Sequence, residues 1–359
     1  MITKYKNFYL KFLYIFFVFL SLNIFFFSTT KVEGKAFKID NIEISQPFEI
    51  NFDKRKVIDK GFKKAFTELI SLIVNSSDQN KIKQIKLNEI KGMIDTFSIT
   101  QEKFIDEIYY VKLGVTFNKK NVFNFLERKN IFPSIPLKKK ILFIPIVIDE
   151  KKEDLLVFSK NKIFDKWNNT QEPFHLINYI LPAEDLEDLN LIKSKFELIE
   201  KYDFKEIITK YNLSDSIIAL IFKNEKEIRI LSRISISNNE ILKNLSFSNM
   251  DIESNEGIDE MIKKLKVVYE DYWKNFNQIN TSIKLPLNIK IISTDTSKIS
   301  NFEKILTETD LIYDYYISRF DKDFIYYQII FNGTPSNFLQ IMKDHNYNFD
   351  TQNKIWILM

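Results

Sequence analysis

Residues 312–331 read IYDYYISRFDKDFIYYQIIF, two aromatic and β-branched runs of nine and eight residues joined by Asp321-Lys322-Asp323. Such runs favour extended chain, and a short polar break between them predicts a β-hairpin. Upstream, LNIKIIS (287–293) reads as a strand, and Ser300 with Glu303 forms a capping box that opens a helix to about Thr309. Downstream, Thr334 followed by Pro335 starts a helix to about His345, and KIWILM (354–359) is a closing strand. The order βαββαβ predicts a ferredoxin-like module over residues 283–359.

Two further modules precede it. In residues 37–136, FKIDNIEISQPFEIN is a period-2 strand, and Ile58, Phe62, Ala65, Phe66, Leu69, Ile70 and Ile73 fall on one helical stripe. A second helix is expected over Leu87 to Phe97, then a strand at IYYVKLGVTF (108–117) and a short helix at Val122 to Arg128. The segment Pro133 to Lys140, with two prolines and three consecutive lysines, is the expected boundary.

Residues 137–282 open with ILFIPIVIDE (141–150), a continuous apolar run of the kind buried on both faces of a sheet. A helix near Lys160 to Asn168 and a strand at FHLINYIL (174–181) follow. A helical stripe from Phe196 to Tyr211 is divided by a capping box at Asp203 and Glu206. Strands SIIALIF, EIRILSRISI and EILKNLSF then lead to a helix from about Gly257 to Phe276, whose apolar spacing holds through five turns. The fold class is therefore α+β or α/β in several modules.

The amino terminus carries a location signal. Lys4, Lys6 and Lys11 precede an apolar run from Phe12 to Phe27, and polarity returns at Thr29, Thr30 and Lys31. A basic flank before such a run predicts an export signal or membrane anchor over residues 1–36, with the remainder translocated. The sites Val32 with Gly34, or Gly34 with Ala36, suit cleavage. The expected location is periplasmic, or anchored in the inner membrane through residues 12–28 if the segment stays. This segment also holds the whole formal charge of +4, so the remainder is neutral. Neutrality argues against nucleic acid as a partner, because phosphate binding gathers a surplus of Lys and Arg.

Composition excludes much chemistry. With no Cys there is no disulfide, thiol nucleophile or thiolate metal site. The six glycines are too far apart for a phosphate loop, a dinucleotide fingerprint or a nucleophile elbow. The two histidines, His175 and His345, fall in different modules, and no metal or cofactor site is expected. Asp149, Glu150, Glu153 and Asp154 follow the carboxyl end of the first strand of the middle module, where open α/β sheets place ligands. They are the one basis for an alternative reading as a carboxylate-dependent envelope hydrolase. The larger excess is aromatic. Tyr315, Tyr316, Tyr326 and Tyr327 crowd the 312–331 hairpin, and alternation puts some of them on a face that helices do not cover. These four are the candidate partner-binding residues.

Over residues 37–150 the succession KVIDKGFKKAFTELISLIV, YYVKLGVTFNKKNVFNFL and KKKILFIPIVIDE resembles a family of exported bacterial proteins known as a domain of unknown function. The middle module, where KEIITKYNLSD feeds SIIALIF, looks like the amino-terminal domain of TolB and of flagellar T-ring and curli-secretion proteins. That resemblance implies an envelope assembly or scaffold role and transfers no site residue. The expected function is a non-catalytic binding protein, with an envelope protein or cell-wall polymer as partner and no cofactor.

Overall fold

The period-2 stretch at residue 37 is a strand in the computed structural model, which describes residues 37–359 apart from 170–174, 225–226, 238 and 249. The basic flank and apolar run at residues 1–36 lie outside the described residues. From residue 36 onward the chain makes one unit by its contacts.

The first sheet comes from β1 (Lys38–Pro47), β2 (Ile94–Ile105) and β3 (Ile108–Phe117), all antiparallel in the order β1-β3-β2. Between β1 and β2 run α1 (Lys54–Ile73), α2 (Ser76–Gln79) and α3 (Leu87–Lys91); α4 (Lys119–Arg128) follows β3. The apolar stripe of α1 packs on β3, and Gly61 allows the approach: a Cβ there would lie 2.3 Å from Leu113 Cδ1. The expected helix over Leu87 to Phe97 is corrected. It ends at Lys91, and residues 94–105 form β2. Asp106 and Glu107 turn the β2–β3 hairpin with φ of 49° and 60°. Positive φ at both central residues is what a tight hairpin turn needs, but Asp-Glu is not the Asn-Gly that announces one.

The middle sheet has six strands. β4 (Lys139–Asp149) pairs with β5 (Asp154–Leu156) at its carboxyl half and runs parallel to β6 (Ile177–Ile180) at its amino half. The order continues through β7 (Ser216–Lys223), β8 (Glu227–Ile236) and β9 (Asn239–Ser248), with β4 and β7 parallel. Helices α5 (Lys162–Lys166), α6 (Leu186–Ser194) and α7 (Lys205–Lys210) lie between β5 and β7 in sequence; α8 (Asn255–Phe276) follows β9. Two cores sandwich this sheet. Phe143, Ile217 and Ile230 pack with Met261 and Leu265 of α8, while Leu142, Ile218 and Leu220 pack with Ile192 and Ile207. That is why ILFIPIVIDE reads as apolar throughout: successive residues serve opposite cores.

The last sheet contains β10 (Leu285–Ile292), β11 (Ile312–Phe320), β12 (Phe324–Phe331), β13 (Phe349–Asp350) and β14 (Trp356–Leu358), in the order β11-β12-β10-β14-β13. β10 and β14 are parallel, the other pairs antiparallel, and α9 (Thr296–Glu308) and α10 (Pro335–Asp344) supply Phe302, Leu306, Phe338 and Met342 to one face. α9 is capped by Asp295, whose side chain accepts from Lys298 N, five residues before the Ser300 expected to open it. The elements run β10-α9-β11-β12-α10-β13-β14, one short strand more than the expected βαββαβ. One core runs from Phe37 through Phe66, Phe117 and Leu126 to Ile279, Ile289, Phe302 and Tyr327, so the first and last sheets share their interior. The chain leaves and re-enters this core side by side: Ser134 and Gln278 form an antiparallel bridge, flanked by bonds from Ile279 N to Pro133 O (2.8 Å) and from Ile135 N to Asn277 O (3.1 Å).

Candidate functional site

Alternation in β12 sends Phe324, Tyr326 and Gln328 to one face and Ile325, Tyr327 and Ile329 to the other. Tyr327 is 1% exposed, packs against Phe302 at 5.8 Å and donates to Glu303 Oε1 at 2.7 Å. Burial and that carboxylate push its hydroxyl pKa up. Tyr315 is half-buried on the same face, its hydroxyl 3.0 Å from Thr307 Oγ1. These two rings thus brace α9 against the sheet.

Tyr316 and Tyr326 take the opposite face. Tyr316 is 48% exposed and donates to Gln328 Oε1 at 2.5 Å across the strand pair. Tyr326 pairs with Lys290 on one side and Arg319 on the other. The Arg319 guanidinium lies 4.0 Å from the centre of the Tyr326 ring, and Lys290 Nζ lies 4.4 Å from that of Phe324. Stacked cations of this kind fix ring orientation while leaving the π-face ringed by donors. None of Tyr316, Arg319, Phe324, Tyr326 and Lys290 is buried. The hairpin tyrosines therefore divide into two structural residues and two that face outward.

Sequence alternation could have found Phe324, two residues from Tyr326. Arg319 was not to be found that way. A bulge between Ile317 and Arg319 shifts the strand by one residue, so Arg319 opposes Tyr326 instead of pointing inward. The turn itself is tied by Asp321, which accepts from Phe324 N at 2.8 Å and Asp323 N at 3.0 Å. Those backbone bonds hold its carboxyl below the usual range.

The acids after β4 separate. Asp149 is buried and accepts from Lys152 N at 3.1 Å, with Lys223 Nζ 3.9 Å away. Lys223 also pairs with Glu253, and that bond lowers the Glu253 pKa. Glu150 and Glu153 instead line a pocket of about 520 Å3 with Glu197 and Glu200. Asp154 accepts from Leu155 N at the start of β5. No group of three or more His, Asp or Glu among the described residues is placed to hold a metal ion. His175 and His345 fall in separate elements, His175 before β6 and His345 after α10. No helix among the described residues is long and apolar enough to cross a membrane.

Among known proteins, no family model matches the chain, and no curated protein matches it. The mixed α/β class with three sheets and ten helices rests on the described residues alone.

Proposed function

We propose that the chain is a non-catalytic exported protein of the cell envelope that works by binding, through the outward face of its last sheet. The observation that carries this reading is the pair Tyr316 and Tyr326, set on rigid neighbouring strands and braced by Gln328 and Arg319. Aromatic side chains with a polar tip supply large contact area at small entropic cost, which suits an interface anchor. The basic flank and apolar run of residues 1–36 support export, and the partner in that compartment is an envelope protein or a cell-wall polymer. The strand order of the last sheet supports a ferredoxin-like module, and the parallel β4–β7 pair with helices between supports the TolB-type likeness.

Two measurements test the reading. A reporter active only outside the cytoplasm, fused after Met359, should be active; activity of a cytoplasm-only reporter there ends the export half. Full-length protein should retain an envelope protein or sediment with purified wall polymer, and Tyr316→Ser with Tyr326→Ser should lose that retention without unfolding. Retention unchanged in the double variant ends the binding half.

A hydrolase is the second reading, favoured by the four glutamates around the 520 Å3 pocket. Glycosidic hydrolysis needs two carboxylates across a cleft, one of them protonated. If Glu150→Gln or Glu197→Gln abolishes the cellular phenotype while the tyrosine variants do not, this reading replaces the first.

A further inference from the structure

At the amino end of β4, opposite the end that bears Asp149, a pocket of about 480 Å3 opens between that strand, β6 and α8. Lys138, Lys139 and Lys140 enter it from the β4 side and Lys266 from α8. The negative charge nearby is already engaged. Asp215 pairs with Lys139 and accepts from Ser237 N, while both Glu270 oxygens accept from the N–H groups of Leu176 and Ile177 at 2.9 to 3.1 Å. Lys138 and Lys140 have no carboxylate partner among the described residues.

The aromatic wall holds one of these lysines in place. Tyr179 lines the pocket and is 5% exposed, yet its hydroxyl has no hydrogen-bond partner. That hydroxyl is closed to solvent, so Tyr179 contributes its ring to the wall. Lys266 Nζ lies 6.0 Å from the centre of the Tyr179 ring and 5.6 Å from that of Trp167, so its charge is held at the pocket wall. The lining thus offers ammonium donors. A ligand that only accepts hydrogen bonds fits it, and two unpartnered lysines match a dianion better than a single carboxylate.

We propose that this pocket binds a phosphate group, carried either by a soluble phosphate ester or by a lipid headgroup. Two of the three tryptophans adjoin lysines of the lining: Trp167 under Lys266, and Trp273 with Lys139 Nζ 5.8 Å from its ring centre. Tryptophan emission therefore reports occupancy.

The test uses the full chain in detergent, titrated with glycerol phosphate, and in parallel sedimented with phosphatidylcholine vesicles with and without phosphatidic acid. A saturable emission change with glycerol phosphate is expected, weakened about tenfold or more in Lys138→Gln with Lys140→Gln. The thermal midpoint of that variant should match that of the unaltered protein, since both lysines are on the surface. Sedimentation that requires phosphatidic acid and is lost in the same variant assigns the headgroup; emission saturation without it assigns the soluble ester. No response to either probe, or equal responses in the double-glutamine variant, overturns the proposal.

Discussion

Lys274 Nζ on the last turn of α8 donates to the Val74 carbonyl at 3.3 Å and to that of Ser71 beside it, closing the carboxyl end of α1 from another sheet layer. Asp271, one turn earlier, accepts from Ser76 N at 2.9 Å, where α2 begins. The same device recurs at α9, where Lys119 Nζ donates to Thr309 O at 2.8 Å. A cation at a helix carboxyl terminus satisfies orphan carbonyls and meets the negative end of the dipole. Both ammoniums are pushed to lower pKa, chiefly by burial.

Replacing Lys274 by Met keeps the packing and removes the donor. The stranded carbonyls of Ser71 and Val74 should cost about 2 kcal/mol of stability. Urea unfolding measures this, and a Lys274→Met midpoint equal to that of the unaltered protein would show that solvent already serves those carbonyls.

Lys119 has a pKa of about 8 in the folded chain, lowered by burial and partly restored by Asp310, against 10.5 when unfolded. Between those values the unfolded state holds the proton that the folded state has given up, so this group makes stability rise with pH from about 8 to 10.5. Other groups titrate there too, so the informative quantity is the difference between Lys119→Met and the unaltered protein. That difference should change across this window; a constant offset refutes the assignment.

His175 behaves alike in the acid range. Burial, then the charges of Lys266 and Lys274, lower its pKa to about 4 from 6.5. As pH falls through 6.5 the unfolded chain takes up a proton first, so stability declines between 6.5 and 4 on its account. His175→Gln should flatten the acid limb of a melting-temperature profile by several degrees. A profile identical to that of the unaltered protein would sink this prediction.

The hairpin tyrosines should divide in stability measurements as they do in space. Tyr327→Ser empties space beside Phe302 and strands Glu303, at a cost of about 3 to 5 kcal/mol. Tyr316→Ser and Tyr326→Ser should stay within about 1 kcal/mol. If both outward tyrosines destabilise as much as Tyr327, that face is part of the core and no docking surface exists there.

The shared core predicts an unusual excision. Residues 136–276 replaced by Asn-Gly should leave a folded protein, because Ile135 and Asn277 are already paired as strand partners. Residues 283–359 expressed alone should melt without cooperativity, lacking the surfaces that Phe37 to Ile131 cover. Cooperative melting of that fragment by calorimetry would contradict a shared interior. Trypsin should cut at exposed Lys138 or Lys140.

Local pattern carried much of this fold. The stripe on α1, the spacing of α8 and the runs of β11 and β12 are each written in consecutive residues, because helix and strand burial repeat every three to four and every two positions. β2 escaped because only the edge of the sheet uses it: eleven of its twelve residues are exposed, so burial imposed no alternation on them. The same logic governs the binding face. Alternation places Tyr316 opposite Tyr315, but it could not tell which of Tyr326 and Tyr327 is core, since that depends on which face α9 covers.

What the sequence determined by itself is the stripes of α1 and α8, the runs of β4, β7, β8, β11 and β12, and the absence of thiol and glycine-loop chemistry. Tertiary structure alone decided that the first and last sheets share one interior, that a bulge turns Arg319 onto Tyr326, and that Lys138, Lys140, Lys266 and Tyr179 meet in one pocket. The reason is range. Propensity and periodicity act over a few residues, whereas the shared core and the lysine pocket join positions tens to hundreds of residues apart, and nothing local records where a neighbouring layer or a bulge will fall.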